Sequence, residues 1–135
     1  MEYKNFKKYY IIPAEPEMVF KALTTPHIIR LWSGDNAEMS TEVGSEFSLW
    51  DGSICGVNLE FETNKKIVQE WFFGEQEQQS IVTIKLHENP KGTSLELLHT
   101  NIPSDSYDDI IDGWNLEYMY SLIDFYTEND SEESD

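Results

Sequence analysis

Residues 47–73, FSLWDGSICGVNLEFETNKKIVQEWFF, constrain the fold more than any other stretch of the chain. Apolar and polar residues alternate through much of it, which is the period of a strand with one buried face. Asp51-Gly52 and Thr63-Asn64 interrupt the alternation with turn residues. Strands joined by turns this short pair in antiparallel fashion. The stretch therefore predicts a sheet with one apolar face that another element must cover.

The strand pattern extends on both sides of this stretch. Residues 3–12 are rich in aromatic and β-branched side chains and predict a first strand, and a short strand near 37–39 is a further candidate. The sequence Asn-Pro-Lys-Gly at 89–92 predicts a hairpin turn. Five consecutive strands are predicted after the first, at 46–50, 54–62, 66–73, 79–87 and 94–100.

Three segments have helical signals. Pro16 opens a helix that ends before Pro26, and a second short helix runs from there to Gly34, which can take a left-handed conformation. Ser106 and Asp109 resemble a capping box that starts a long C-terminal helix. This helix carries one broad apolar stripe of Ile110, Ile111, Trp114, Tyr118, Leu122 and Phe125.

These elements predict an α+β fold. A curved antiparallel sheet wraps around the long C-terminal helix, because no other element is long enough to cover the apolar face, and two short helices follow the first strand. The length predicts one domain, over residues 1–127. Residues 128–135 contain no apolar side chain and predict a disordered acidic tail.

The charge balance argues against two classes of partner. Nine Lys and Arg residues are opposed by 26 Asp and Glu residues, which gives a formal net charge of −17. Five of the negative charges lie in the last nine residues, so −12 remains for the rest of the chain. A field of this sign repels phosphate backbones and anionic membrane surfaces. We therefore expect neither nucleic acid nor membrane as a partner.

Cys55 is the only cysteine, so no disulfide can form within the chain. This fits a reducing compartment, and the sequence contains neither a secretory signal nor an apolar run of the roughly 18 residues needed to span a membrane. The sequence therefore predicts a cytoplasmic protein. Cys55 itself, in a strand beside Gly56, is interpreted as a small core or wall residue.

The segment VGSEFSLWDGSICGVNLEFETNKKIVQEWFF, at 43–73, resembles the activator of heat-shock-protein-90 ATPase homologue family. VFKALTTPHIIRLWS, at 19–33, is similar to the two-helix entry of that family. GTSLELLHTNIP, at 92–103, and the later DGWN are similar to its last strand and the start of its last helix. The resemblance covers residues from about 10 to 126.

The resemblance implies a START-like, helix-grip fold, in which a sheet wraps a long helix around an apolar cavity. It also implies contact with a heat-shock-protein-90 chaperone. The eukaryotic co-chaperone has a separate N-terminal domain that makes much of this contact, and the present chain is too short to contain it. We therefore expect the contact to be weak, and fold alone does not decide function.

The candidate site is the wall of the implied cavity. His99 shares the inward parity of Leu97, so it is either a satisfied core histidine or a group that binds or deprotonates a ligand. Trp71 and Trp114 should face each other, whereas Trp50 has the opposite parity to Leu49 and should be partly exposed. The predicted wall comprises Trp32, Phe47, Leu49, Val57, Leu59, Trp71, Phe73, Val82, Ile84, Leu97, His99, Trp114, Tyr118 and Leu122.

Two uncertainties in the strands leave alternatives open. A bulge at Gly56 would change the facing of Val57 and Leu59. A shifted register could also turn Glu60 and Glu70 inward, where paired carboxylates would suggest acid–base chemistry.

Three hypotheses follow: a non-enzymatic domain that binds a small apolar ligand, a co-chaperone-like interaction module, or a cyclase- or hydrolase-like enzyme. No spacing typical of a metal site or cofactor motif occurs, so no cofactor is expected.

Overall fold

Six antiparallel strands form one curved sheet in this computed structural model, which describes residues 2–74 and 76–133, with side chains as far as residue 127. The strand order is β1-β6-β5-β4-β3-β2, so the first two strands of the chain are the two edges of the sheet. Consecutive strands from β2 to β6 are neighbours, as their short turns predict. The strands are β1 Tyr3–Ile12, β2 Glu46–Leu49, β3 Ile54–Glu62, β4 Lys66–Trp71, β5 Ser80–Asn89 and β6 Gly92–Pro103.

Two short helices carry the chain from one edge strand to the other. They are α1, Pro16–Thr24, and α2, Pro26–Ser33, and each begins at a proline, whose fixed φ suits the first helical position. Gly34 ends α2 in the predicted left-handed conformation, with φ of 78°, and its N–H donates to the carbonyl of Arg30.

The C-terminal helix covers the concave face of the sheet. It follows a 3-10 turn at Ser104–Ser106 and has three parts: α3, Tyr107–Asp112, a π-helical segment, Gly113–Tyr118, and α4, Met119–Glu133. The predicted capping box is wrong, because the Ser106 side chain makes no capping hydrogen bond. The buried side chains of the helix are Trp114, Tyr118, Met119, Leu122 and Tyr126.

The last helix continues to Glu133 and so includes most of the segment predicted as an acidic tail. The side chains of 128–135 lie outside the described residues. The prediction that this tail is disordered and takes no part in the core therefore stays a prediction.

The predicted facing of β3 is wrong in its first half. The register against β4 shifts between Asn58 and Glu60, so Leu59 is an extra, bulged residue. The bulge leaves Phe61 packed against the core but turns Asn58 inward, where it is buried. Val57 and Leu59, predicted to line the cavity, face outward instead, and Leu59 is 37% exposed. The bulge therefore lies two to three residues beyond the position suggested at Gly56.

The same strands correct the interpretation of Cys55 and settle the alternative left open for Glu60 and Glu70. Cys55 is exposed, so it is neither a core nor a wall residue. Glu60 is exposed and pairs with Lys66, and Glu70 lies on the outer face, where it accepts a hydrogen bond from Gln79. Neither carboxylate turns inward, so the alternative of an acid–base pair does not hold.

Gly56 is required for the close approach of β3 and β4. A Cβ at this position would overlap the backbone carbonyl of Glu70, which cannot move without disrupting the ladder. We therefore predict that Gly56→Ala lowers the free energy of unfolding by about 1–3 kcal/mol or more, measured by urea denaturation. Cys55→Ala, at the exposed neighbouring position, is the control and should have little effect. Equal stability of the two variants would contradict the close approach.

Candidate ligand-binding cleft

A stack of aromatic rings joins the C-terminal helix to the sheet. The rings of Trp71, on β4, and Trp114, in the π-helical segment, are stacked with centroids 4.7 Å apart and planes 23° apart. The prediction that these two side chains face each other is confirmed. The ring centroid of Tyr118 lies 4.6 Å from that of Trp114, with the two planes tilted by 48°. The ring of Trp32, on α2, packs against Tyr118 with centroids 5.2 Å apart.

His99 lies beneath this stack and is fully buried. The Trp114 indole N–H donates to His99 Nδ1 over 3.0 Å, and His99 Nε2 lies 2.8 Å from the Ser80 hydroxyl. An indole nitrogen can only donate, so Nδ1 must be the unprotonated nitrogen. The proton of the neutral ring is therefore on Nε2, which donates to Ser80 Oγ, and Ser80 in turn donates to the carbonyl of Thr100 over 3.2 Å.

Burial also lowers the pKa of His99 to about 3, so the ring is neutral at physiological pH. Both ring nitrogens already have partners within the protein, and no part of the side chain is accessible. The geometry therefore favours the interpretation of His99 as a satisfied core histidine. It orients Trp114 and holds the helix on the sheet.

A second buried chain of polar groups runs away from the aromatic stack. The Trp71 indole N–H donates to Gln69 Oε1 over 3.1 Å, and Gln69 Nε2 donates to Asn58 Oδ1 over 3.0 Å. Asn58 Nδ2 then donates to Ser45 Oγ and to the carbonyl of Ser40, in the loop before β2. Burying two side-chain amides would be costly without these bonds, so the chain fixes both Trp71 and the loop.

Most of the predicted cavity wall is packed core. Leu97 and His99, predicted to lie in the cavity wall, are inaccessible and do not line the open cleft described next. Phe73 is partly buried, with its ring 5.9 Å from that of His99. The remaining buried members of the predicted wall are Phe47, Leu49, Val82, Ile84 and Leu122.

An open cleft of about 370 Å³ lies where the helix meets the turn between β2 and β3. Of the predicted wall, Trp71, Trp114 and Tyr118 line it, and Trp32 packs against its lining residues. The other lining residues were not predicted from sequence. They are the apolar Trp50, Ile54 and Ile110, Gly113, and the polar Asp35, Ser53, Asp109 and Glu117.

Trp50 reaches the cleft because the backbone turns at this residue. Its φ is 49° and that of Asp51 is 54°, which is unusual for side chains with a Cβ. Hydrogen bonds from Asp51 N to the carbonyl of Asn36 and from Ser53 N to the carbonyl of Trp50 hold the turn. Trp50 is partly exposed, as predicted, but it packs against Trp32 and Tyr118 at 5.7 and 5.6 Å. Strand parity could not predict this, because the strand ends at Leu49.

Tyr118 brings an unpaired polar group to the cleft. The residue is only 5% exposed, and burial raises the pKa of its hydroxyl. In the described part of the chain, Ser104 Oγ is the one fully buried side-chain polar atom without a partner. Among the described residues the Tyr118 hydroxyl makes no hydrogen bond, and Tyr118 lines the cleft.

The π-helical segment presents several lining residues together. The N–H of Met119 donates to the carbonyl of Trp114, five residues earlier, and the widened turn contains Gly113, Trp114, Glu117 and Tyr118. Such segments are rare and are frequent at functional sites. Gly113 has no side chain, and a Cβ there would meet open space, so the glycine leaves room in the cleft.

Together, the sheet, the covering helix and the cleft at their junction define a START-like, helix-grip domain. The family model for Activator of Hsp90 ATPase homolog 1-like protein matches residues 13–123. The chain therefore belongs to this family.

Two curated relatives are activators of the 90 kDa heat shock protein ATPase. The homolog from Dictyostelium discoideum is 32% identical over 95 residues, and homolog 2 from Mus musculus is 24% identical over 108 residues. These alignments cover 67% and 78% of this chain. They cover only 24% and 33% of the relatives, so the chain spans a quarter to a third of their length.

Solved structures share the fold over nearly the whole chain. An HSP90 activator from Plasmodium falciparum is 29% identical, with a TM-score of 0.79 over 87% of this chain and 92% of that one. The Aha1 dimer from Colwellia psychrerythraea is 19% identical, with a TM-score of 0.73 over 91% and 93% of the two chains, and this likeness concerns the fold alone.

Across residues 2–74 and 76–133, no helix is both long and apolar enough to cross a bilayer. Within the same residues, His, Cys, Asp and Glu side chains form no group that could hold a metal ion.

The lowered pKa of His99 makes the free energy of unfolding depend on pH. Its pKa is about 3 in the folded state and about 6.5 in the unfolded state, so the unfolded chain binds the extra proton between these values. The stabilising effect of the neutral ring is therefore fully present above pH 6.5 and is lost as pH falls towards 3. We predict that the stability advantage of the wild type over His99→Gln shrinks by up to about 1.4 kcal/mol per pH unit in this window.

Urea denaturation of both proteins between pH 7 and pH 4 measures this difference. The comparison cancels the titration of the carboxylates that the two proteins share. A constant difference across the window would show that His99 does not stay neutral in the folded protein.

Proposed function

We propose that this domain is a non-enzymatic binding module that holds a small, largely apolar ligand in the cleft between the C-terminal helix and the β2–β3 turn. The observation that carries the proposal is the cleft walled by Trp50, Trp71 and Trp114, to which Tyr118 adds a hydroxyl with no hydrogen-bond partner among the described residues. A few polar groups on an otherwise apolar concave surface are typical of small-molecule sites.

The volume of the cleft sets the size of the ligand. At about 370 Å³ it falls near the lower end of the range for small-molecule sites, roughly 300–1,000 Å³. The stacked rings of Trp71 and Trp114 form its floor, and the core behind them is packed. The ligand therefore lies beside the β2–β3 turn and does not extend between the sheet and the length of the C-terminal helix.

The residues that could have supported catalysis are not placed for it. His99 is inaccessible with both nitrogens engaged, and Glu60 and Glu70 lie on the other face of the sheet. The acids that line the cleft, Asp35, Asp109 and Glu117, share it with no histidine, cysteine or lysine among the described lining residues. This arrangement supports binding over the cyclase- or hydrolase-like alternative.

Filling the cleft should abolish ligand binding without unfolding the protein. We predict that the neutral apolar dye Nile red binds the wild type saturably and that Gly113→Phe blocks it, because the new side chain enters open space. Fluorescence titration measures the binding, and thermal denaturation checks the fold. Gly113→Ala is the matched control: it should retain dye binding and gain up to about 1 kcal/mol in stability, since Ala is the better helix former. Equal dye binding by Gly113→Phe would contradict the site.

A second candidate function is contact with an Hsp90-class chaperone. It is favoured by the family and by the 32% identity to the Dictyostelium activator homolog. The alignments cover at most a third of the curated relatives, and the formal charge of −17 requires a basic surface on the chaperone. Charge complementarity of this kind acts mainly on the association rate and weakens with salt.

We therefore predict weak, salt-sensitive binding to the Hsp90-class chaperone of the source cell, with little stimulation of its ATPase. The measurement is ATP turnover by the chaperone with and without the domain, at low and at high salt. Gly113→Phe serves as a control for any part played by the cleft. Several-fold activation that persists at high salt would make the single domain a sufficient activator and would displace the ligand-binding proposal as its main function.

A further inference from the structure

We propose that the free edge of β1 is a docking site for an extended peptide segment that alternates acidic and apolar residues and adds to the sheet as a further strand. This site is separate from the cleft, because no residue that lines the groove between β1 and the C-terminal helix also lines the cleft. The unpaired backbone, the charge and the exposed side chains of β1 each support the docking site.

The backbone of β1 is unpaired along one side of its ten residues. The strand is the last in the sheet and pairs only with β6. Beyond that ladder, the described residues give the backbone of 3–11 one hydrogen bond, from the Tyr107 hydroxyl to the carbonyl of Asn5 over 3.5 Å. The opposite edge differs, because β2 has four residues and Ser48 exchanges two backbone hydrogen bonds with Glu38. A long free edge is a template for the addition of a strand.

The charge of β1 is opposite to that of the chain as a whole. Tyr3–Ile12 contains Lys4, Lys7 and Lys8 and no acidic residue, whereas the whole chain has 26 acidic and nine basic residues. Lys7 Nζ lies 3.9 Å from a carboxylate oxygen of Glu96. Among the described residues, Lys4 and Lys8 form no ion pair. These two lysines are therefore available to the carboxylates of a partner.

Lys4 and Lys8 both point towards the C-terminal helix. Lys4 Nζ lies 5.0 Å from the ring centroid of Tyr107, and Lys8 Nζ donates to Asn115 Oδ1 over 3.0 Å. Beside Lys8, an open groove of about 290 Å³ separates the strand from the helix, and Asp124 is the one acid in its described lining. Side chains on the same face of a strand added to β1 would lie beside the two lysines, where opposite charges stabilise the pairing.

The other face of β1 exposes two large apolar side chains. Tyr9 and Ile11 are 54% and 42% exposed, and they pair with Glu96 and Ser94 on the outer face of the sheet. Because successive side chains of a strand point to opposite faces, an added strand would present one set of residues to Tyr9 and Ile11 and the other set to the lysines. The segment that fits therefore alternates apolar and acidic residues.

A second copy of β1 fits this edge less well. It would bring three further lysines to the edge and no acid to neutralise them, and lysines at sheet edges oppose pairing of this kind. The overall charge of −17 also repels an acidic segment. At physiological ionic strength, however, exposed charges more than about 8 Å away are largely screened, so the lysines at the edge have the larger effect.

The probe for this site is a capped peptide as long as β1 that alternates valine and glutamate. We expect it to bind the wild type saturably in isothermal titration calorimetry and to slow hydrogen exchange at the amides of residues 3–11. A control peptide has proline in place of every second valine. It keeps the charge but lacks the N–H groups and the freedom of φ that a ladder needs, so it should not bind.

Charge variants test the role of the lysines. Lys4→Gln combined with Lys8→Gln should lower the affinity for the valine–glutamate peptide about threefold to tenfold, the effect of two exposed ion pairs. Lys65→Gln combined with Lys91→Gln is the matched control. It removes the same charge from two turns outside β1 and should have little effect.

Apolar variants test the outer face in the same assay. Tyr9→Ser combined with Ile11→Ser should lower peptide affinity at least about threefold, because two apolar contacts are lost. Leu31→Ser combined with Val43→Ser, at positions that are 57% and 70% exposed, is the control and should leave the affinity unchanged. Thermal denaturation checks that each variant keeps the fold.

Several results would overturn the proposal. They are failure of the valine–glutamate peptide to bind, equal binding of the proline peptide, slowed exchange only outside residues 3–11, and unchanged affinity in the Lys4/Lys8 variant. A wild type that dimerises in sedimentation velocity, and more strongly once Lys4 and Lys8 are replaced, would show that a second copy occupies the edge. Gly113→Phe should bind the peptide as the wild type does, so this test is decided separately from that of the cleft.

Discussion

The hydrogen bond from the Trp114 indole to His99 Nδ1 fixes how the C-terminal helix sits on the sheet. It can form only while the imidazole is neutral and its other nitrogen faces Ser80, so the position of one tryptophan depends on the protonation of a buried base. With Trp114 held in place, Trp71 stacks on it from below and Tyr118 packs beside it. Loss of the bond would leave buried polar groups unsatisfied, at a cost of about 1–3 kcal/mol.

Because Trp114 is held in place, aromatic rings fill the interior of the space between the C-terminal helix and the sheet. The space stays open at the end beside the β2–β3 turn. The aromatic rings that could have lined a deep cavity instead fill it and contact one another. Open space remains beyond the stack, where Gly113 lacks a side chain and the chain turns sharply at Trp50. The buried amides of Asn58 and Gln69 connect the stack to the loop that precedes β2. The proposed ligand would therefore meet walls that are already positioned, which would reduce the entropy lost on binding.

Family membership and the cleft indicate two different functions for the same domain. The family relates the chain to activators of the heat-shock-protein-90 ATPase, whereas the cleft offers a space of small-molecule size. A fold of this kind can carry unrelated functions, so the two proposals are compatible and need separate experiments. Gly113→Phe is useful in both, because the new side chain alters the cleft at a position where a Cβ meets open space.

The sequence by itself determined the family, the order of the elements and much of the core. The alternating pattern of β4, β5 and β6 and the stripe on the C-terminal helix are local periodicities, and each side must bury its apolar residues against the other. For this reason the pairing of Trp71 with Trp114 and the burial of His99 were predictable. The two proline starts and the left-handed Gly34 were predictable because those residues restrict or permit φ directly.

Only the tertiary structure decided the site. The bulge at Leu59 turned Val57 outward and Asn58 inward, because one extra residue reverses the facing of a strand and depends on the partner strand. The positive φ of Trp50 placed a predicted outward side chain in the cleft, and Asp35, Asp109 and Glu117 meet there from elements far apart in sequence. Periodicity reports which face of an element is buried. It does not report whether opposing side chains fill the space between two elements, because that depends on the sizes and directions of side chains that meet only in the folded chain.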